Sequence, residues 1–112
     1  MSFTELRQYF IKPGCMETWV TLFESEIVPF QQSKGVLIHS SWRGETDDSV
    51  FVWMRTFESE EQREAQYAAV YGSETWDKQF RGRINELIDR EQIKVLRLVP
   101  LPSSPKMPEY NK

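Results

Sequence analysis

Residues Phe3 to Ile11, FTELRQYFI, alternate with the period of a β-strand, yet neither alternate set is cleanly apolar. One set is Phe3, Glu5, Arg7, Tyr9 and Ile11; the other is Thr4, Leu6, Gln8 and Phe10. A strand with one wet face sorts its residues better than this. Beyond Pro13, which suits a helix start, the apolar positions Met16, Trp19, Val20, Phe23, Ile27 and Phe30 recur every three or four residues and predict a helix with one buried face. Pro29 is expected to kink or end that helix within its last turn, and Gly35 punctuates it.

VLIHSSWRG (Val36 to Gly44) and SVFVWMRTF (Ser49 to Phe57) are rich in β-branched and aromatic residues and flank the polar stretch GETDD. They predict a hairpin with a loop of about five residues. The second of these strands is apolar at nearly every position except Arg55, as a central strand is. Ser59 followed by Gln62 forms a capping-box pattern opening a helix that stops at Gly72. Trp76, Phe80, Ile84, Leu87 and Ile88 predict a further helix, and Ile93 to Val99 the last strand.

The order β-α-β-β-α(α)-β, with right-handed crossovers, predicts an α+β class protein with the ferredoxin-like βαββαβ arrangement: a four-stranded antiparallel sheet with helices on one face. One domain is expected over residues 1–102. The Pro-rich PSSPKMPEYNK region makes residues 103–112 an extended tail.

Such a sheet leaves one face without helices. If Leu6, Phe10, Val50, Val52, Met54, Leu96 and Leu98 meet the helices, the open face carries Glu5, Arg7, Tyr9, Phe51, Trp53, Arg55, Ile93, Val95 and Arg97. Alternation fixes the two faces of each strand but not the phase between strands. Soluble monomers rarely leave so large an apolar patch bare, and packing two sheets across a two-fold axis covers both patches at once. On this assignment the Glu5/Arg7/Tyr9 face looks into a dimer cavity.

Composition narrows the function classes. The 112 residues carry a formal net charge of −3, which gives no electrostatic footprint for nucleic acid or anionic lipid. The single Cys15 makes no internal disulfide, and no Cys/His cluster has metal-ligand spacing. No apolar run approaches the ~18 residues of a membrane span, and MSFTELRQYF lacks the features of a signal peptide. The expectation is a cytoplasmic protein with no cofactor or metal, and with neither nucleic acid nor membrane as partner.

ELRQYFIKPG, the helix ending near VPF, VFVWMRTFES and IKVLRLVPLP together resemble the NIPSNAP family. Glu5, Leu6, Arg7, Tyr9, Lys12, Pro13 and Gly14 match its opening motif. Trp53, Arg55 and Phe57 correspond to a later Trp-Arg-aromatic strand, with Met54 as one additional residue. The resemblance covers the chain up to about Pro102. It implies a dimeric α/β barrel and specifies no reaction.

The candidate ligand-binding residues are Glu5, Arg7, Tyr9, Trp53, Arg55 and Arg97. Arginines offer paired contacts to a carboxylate or phosphate, and the rings offer apolar area to an anionic aromatic or amphipathic molecule. The competing reading makes these arginines structural ion pairs, for example with Glu5. His39, the only histidine, is the candidate general base, and the second strand's phase decides whether His39 or Trp42 faces the cavity. Cys15 at a helix start is a candidate low-pKa thiol, or simply a small filler. The function expected is a homodimer whose inter-sheet cavity binds a small anionic organic molecule, with or without cofactor-independent turnover. The alternative is a non-catalytic interaction or scaffold domain.

Overall fold

A computed structural model describes residues 2–105. Strand β1 (Phe3–Ile11) leads into α1 (Met16–Leu22), a π-helical turn (Phe23–Ile27) and α2 (Val28–Ser33). Strands β2 (Leu37–Arg43) and β3 (Val50–Phe57) form the hairpin. Helix α3 (Glu60–Tyr71), a second π-helical turn (Trp76–Phe80), α4 (Arg81–Leu87) and β4 (Ile88–Leu98) complete the chain. The antiparallel sheet has the order β2-β3-β1-β4, which is the ferredoxin-like arrangement.

Local chemistry places the boundaries. Lys12-Pro13-Gly14-Cys15 is a turn closed by the Cys15 N–H on the Lys12 carbonyl at 3.0 Å. Proline presets its second position, and Gly14 supplies φ +76° at its third. Lys12 Nζ also donates to the Asn85 carbonyl at 2.9 Å, tying the end of β1 to α4. Gly35, at φ +86°, ends α2: Val36 N–H returns to Gln31 O at 3.1 Å and Gly35 N–H to Gln32 O at 2.9 Å. The Ser59 side chain accepts from Gln62 N–H at 3.1 Å, and Gln62 Oε1 accepts from Glu58 N–H at 2.8 Å. The expected capping pair is therefore present, shifted by one residue on its return bond.

Pro29 neither ends nor breaks the helical stretch. The π-helical turn lies directly before it, and the Val28 N–H reaches back five residues to Phe23 O. A turn already widened there removes the demand for a regular bond from residue 29 and relieves the clash of its ring with the preceding turn. The wide turn also rotates α2 about the helix axis. Gln31 comes onto the fully buried line, while Phe30 stacks sideways on Trp76 (6.4 Å) and Phe80 (5.3 Å).

The sheet's phase is the reverse of the expectation. Glu5, Tyr9, Phe51, Trp53, Arg55 and Phe57 are buried between sheet and helices. Register puts Glu5 opposite Arg55 and Arg97, Arg7 opposite Trp53 and Val95, and Tyr9 opposite Phe51. Leu6 pairs with Met54 and Leu96, so these residues and their companions Phe10, Val50, Val52 and Leu98 form the uncovered face. The physical reason is aromatic volume. Tyr9, Phe51 and Trp53 interlock with Trp19 and Phe23 from the first helices, with centroids 4.9–5.6 Å apart.

Trp42 pairs with Val52 on the uncovered face and is 48% exposed. His39 is exposed at an irregularity between Ile38 and Ser41 of the edge strand β2. The last strand begins five residues earlier than expected, at Ile88, directly where α4 stops. Residues 103 and 104 of the expected tail lie within a turn closed by Ser104 N–H on Leu101 O; residues 106–112 lie outside the described residues. No helix among the described residues is long and apolar enough to cross a membrane.

Candidate functional site

At the heart of the layer between sheet and helices is one carboxylate shared by several cations. Glu5, from β1, accepts from Arg55 Nε at 3.0 Å and from Arg63 Nε at 3.0 Å, and Arg7 stands at 3.7 Å. The Tyr67 hydroxyl, from α3, donates to it at 2.8 Å. Arg55 is 1% exposed and is spent in all directions: it donates to Gln31 Oε1 (2.9 Å), Tyr71 Oη (2.7 Å) and Tyr67 Oη (2.8 Å). Its guanidinium also lies over Tyr67 at 4.7 Å and Trp53 at 4.9 Å. Arginine fits this position because its rigid fork serves four acceptors at once.

Burial alone would raise the Glu5 pKa. Arg55, with the hydrogen bonds from Tyr67 and Arg63, outweighs it, and the carboxyl titrates below its ordinary range. Burial pushes the Tyr67 phenol up, against the pull of Arg55 and Arg7. Burial works against the charge of Arg7, and the phenols of Tyr9, Tyr71 and Tyr67 more than offset it, so its pKa is raised.

Next to this network is a cavity of about 80 Å³ lined by Arg7 and Tyr9 of β1, Trp19, Phe23, Ile27 and Gln31 of the first helical stretch, and Trp53 of β3. Tyr71, Trp76, Ile84, Ile88, Arg90 and Ile93 complete it. Arg7 donates through Nε to Tyr9 Oη at 3.0 Å and only distantly to Tyr67 Oη at 3.4 Å. The buried indole N–H groups of Trp19 and Trp53 have no acceptor among the described residues. Among the described residues no carboxylate lines this cavity. A larger hollow of about 480 Å³ lies outside, between α1 and α4, where Glu26 and Arg83 already pair at 2.7 Å. It is an open surface groove with a net acidic lining, since Glu17 and Glu86 stand beside that pair.

Of the residues expected at a ligand site, Arg7, Tyr9 and Trp53 line the cavity, and Glu5 and Arg55 stand behind it. Their cavity lies within one chain, not between two sheets. Arg97 lies elsewhere: it is half exposed, pairs with Glu60 at 2.7 Å and covers the Phe3 ring at 4.0 Å. The ion-pair reading of Arg55 with Glu5 is therefore observed, and Arg63 joins it. His39 is not among the cavity's lining residues. Cys15 is partly buried, its thiol toward the Pro13 carbonyl at 3.6 Å. Among the described residues no group of three or more His, Cys, Asp or Glu is placed to hold a metal.

Sequence reasoning missed Gln31, Tyr67, Tyr71, Trp19, Trp76 and Arg90. Tyr67 and Tyr71, four apart on α3, carried a usable signal, since that spacing puts two phenols on one helix face. Trp19 and Trp76 were legible only as core.

The family model for NIPSNAP matches residues 4–105. The chain belongs to the NIPSNAP family. Its structure is similar to that of an uncharacterized NIPSNAP-like domain protein from Burkholderia xenovorans, with a TM-score of 0.87 at 20% identity over 99% of this chain and 95% of that one. A NIPSNAP family protein of unknown function from Agrobacterium tumefaciens gives 0.83 at 23% identity, covering 95% and 94% of the two chains. An antibiotic biosynthesis monooxygenase gives 0.68 at 19% identity, covering 89% and 99%. These likenesses show the fold the NIPSNAP chain shares. No curated protein matches the sequence.

Proposed function

We propose that this NIPSNAP chain binds a small anionic organic molecule in the cavity between its sheet and its helices. The observation that carries the reading is a cationic lining: Arg7, whose nearest carboxylate is the shared Glu5 at 3.7 Å, lines one space with the rings of Trp19 and Trp53, whose buried indole N–H groups find no acceptor among the described residues, and none of the described lining residues is an acid. Buried donors are ordinarily satisfied, and an anion or an acceptor-rich ligand is the partner such a lining suits. The flanking rings supply apolar contact to its carbon skeleton. The polar groups of the lining are guanidinium, phenol, indole and amide, so the reading is of a binding site, and cofactor-independent turnover stands as an addition to it.

The same proposal gives the uncovered sheet face a second copy of the chain as its partner. Leu96, Trp42 and Leu98 are 55%, 48% and 39% exposed there, beside partly exposed Leu6, Phe10, Val52 and Met54. A two-fold pairing of these faces covers both. The charge balance and the absence of a disulfide requirement fit a cytoplasmic protein.

Native mass spectra of freshly purified protein, compared with denatured spectra, test both parts. A dimer carrying a discrete extra mass that is lost on denaturation is the expected result. A monomer overturns the dimer. A bare dimer that takes up no organic acid overturns the ligand site and favours an interaction domain with a filled interior.

A further inference from the structure

The cavity owes its outer wall to an irregularity in the sheet. Between Gln8 and Phe10, β1 advances two residues while its partner β4 runs from Lys94 back to Asp89, so the segment from Arg90 to Ile93 stands opposite Tyr9 alone. Excess residues on one strand bend it and re-aim its side chains, and such bulges recur beside functional sites. Here the bulge puts both Arg90 and Ile93 on the cavity. Arg90 is exposed, and among the described residues its guanidinium has a 3.2 Å hydrogen bond to the neutral Asn85 side chain and no ion pair. The neighbouring Asp89 is occupied by Glu91 N–H at 3.1 Å and Gln92 Nε2 at 2.8 Å.

Resting on the anion-site reading above, we infer that Arg90 is a second anion-contacting residue, and that the ligand is a short organic acid with a carboxylate at each end. Arg7 holds the inner carboxylate beside the indoles, and Arg90 closes on the outer one at the solvent side. Two guanidiniums line one space without any acid between them. A single carboxylate at Arg7 leaves the exposed cation without a ligand contact, while a second carboxylate gains a charge-assisted hydrogen bond. Size sets the other limit. About 80 Å³ is well below the ~300–1,000 Å³ of sites for drug-sized molecules, so the acid is a short one.

The test titrates succinate and butyrate, four-carbon acids that differ in the second carboxylate, into the 15N-labelled protein at neutral pH. The reporters are the Trp19 and Trp53 indole N–H resonances, assigned with single Trp→Phe variants. Both acids are expected to shift them, with succinate binding about tenfold tighter or more. Arg90→Gln is expected to abolish that preference while leaving butyrate binding intact, and Arg90→Lys to keep part of it. Arg7→Lys is expected to weaken both acids. Equal affinities in the wild-type protein, or a preference that survives Arg90→Gln, overturn the role of Arg90 and leave the inner anion site standing. Indoles that respond to neither acid overturn both readings.

Discussion

Glu5 is the residue on which the interior turns. Its carboxylate is 1% exposed and pairs with Arg55 and Arg63 while steadying Arg7. Replacing one member of a buried ionic network strands the others, at a typical cost of about 3–5 kcal/mol. Glu5→Gln is expected to lose stability of that order, read as a lower urea midpoint. The pH dependence has a definite sign. Because the folded-state pKa of Glu5 is depressed, its contribution is full above the unfolded carboxylate range, near about 4.3, and is lost as pH falls toward the lower folded value. The wild-type midpoint should therefore fall more steeply between about pH 5 and pH 3 than that of Glu5→Gln; parallel curves would show that another carboxyl carries the acid sensitivity.

This residue also shows why the sequence misled at the finest scale. Glu5 and Arg7 on one face of β1 read as a set unsuited to ordinary core, and that part was sound. What could not be read was their compensation, which comes from residues 50 to 62 positions away: Arg55, Arg63 and Tyr67. A buried charge looks like an exposed one until its partners are located.

At the scale of elements, the turn and cap signals were reliable because their chemistry is local. Pro13-Gly14, Gly35 and Ser59 each act within a few residues of themselves. Ser59→Ala removes an acceptor from the first turn of α3 and is expected to cost about 1 kcal/mol in urea denaturation. The effect should extend to the site, since α3 carries Tyr67 and Tyr71. The sheet's phase was not local. β3 is apolar on both faces, VFVWMRTF, so its own alternation gives no vote. The decision fell to whether Tyr9, Phe51 and Trp53 or their smaller neighbours could fill the space beneath Trp19 and Phe23, a matter of volume that periodicity does not encode. The β4 bulge was equally silent in the sequence: its polar run, DREQ, reads as a loop before a strand and not as a strand's own irregular start.

For the whole molecule, the reversed phase changes which surface the proposed dimer would use and leaves the argument for proposing it in place. The uncovered face bears Leu6, Phe10, Val52, Met54, Leu96 and Leu98 in place of the arginines, which makes it more apolar than the face first assigned to it. Val52→Lys puts a cation at the middle of that face without touching the cavity. It is expected to convert a dimer to a monomer in sedimentation velocity while leaving organic-acid binding unchanged. A Val52→Lys dimer would move the interface elsewhere.

The central position of β1 has a kinetic side. Its two neighbours, β3 and β4, begin about forty and eighty residues farther along the chain. Most helical proteins can assemble from near contacts, but this strand must wait for distant ones, and closing such loops slows the search for the native state. Until β3 arrives, Glu5 has no Arg55, and until α3 arrives it has no Tyr67. Desolvating β1 early is therefore unfavourable, so the charges that specify the finished interior also discourage premature collapse around its first strand.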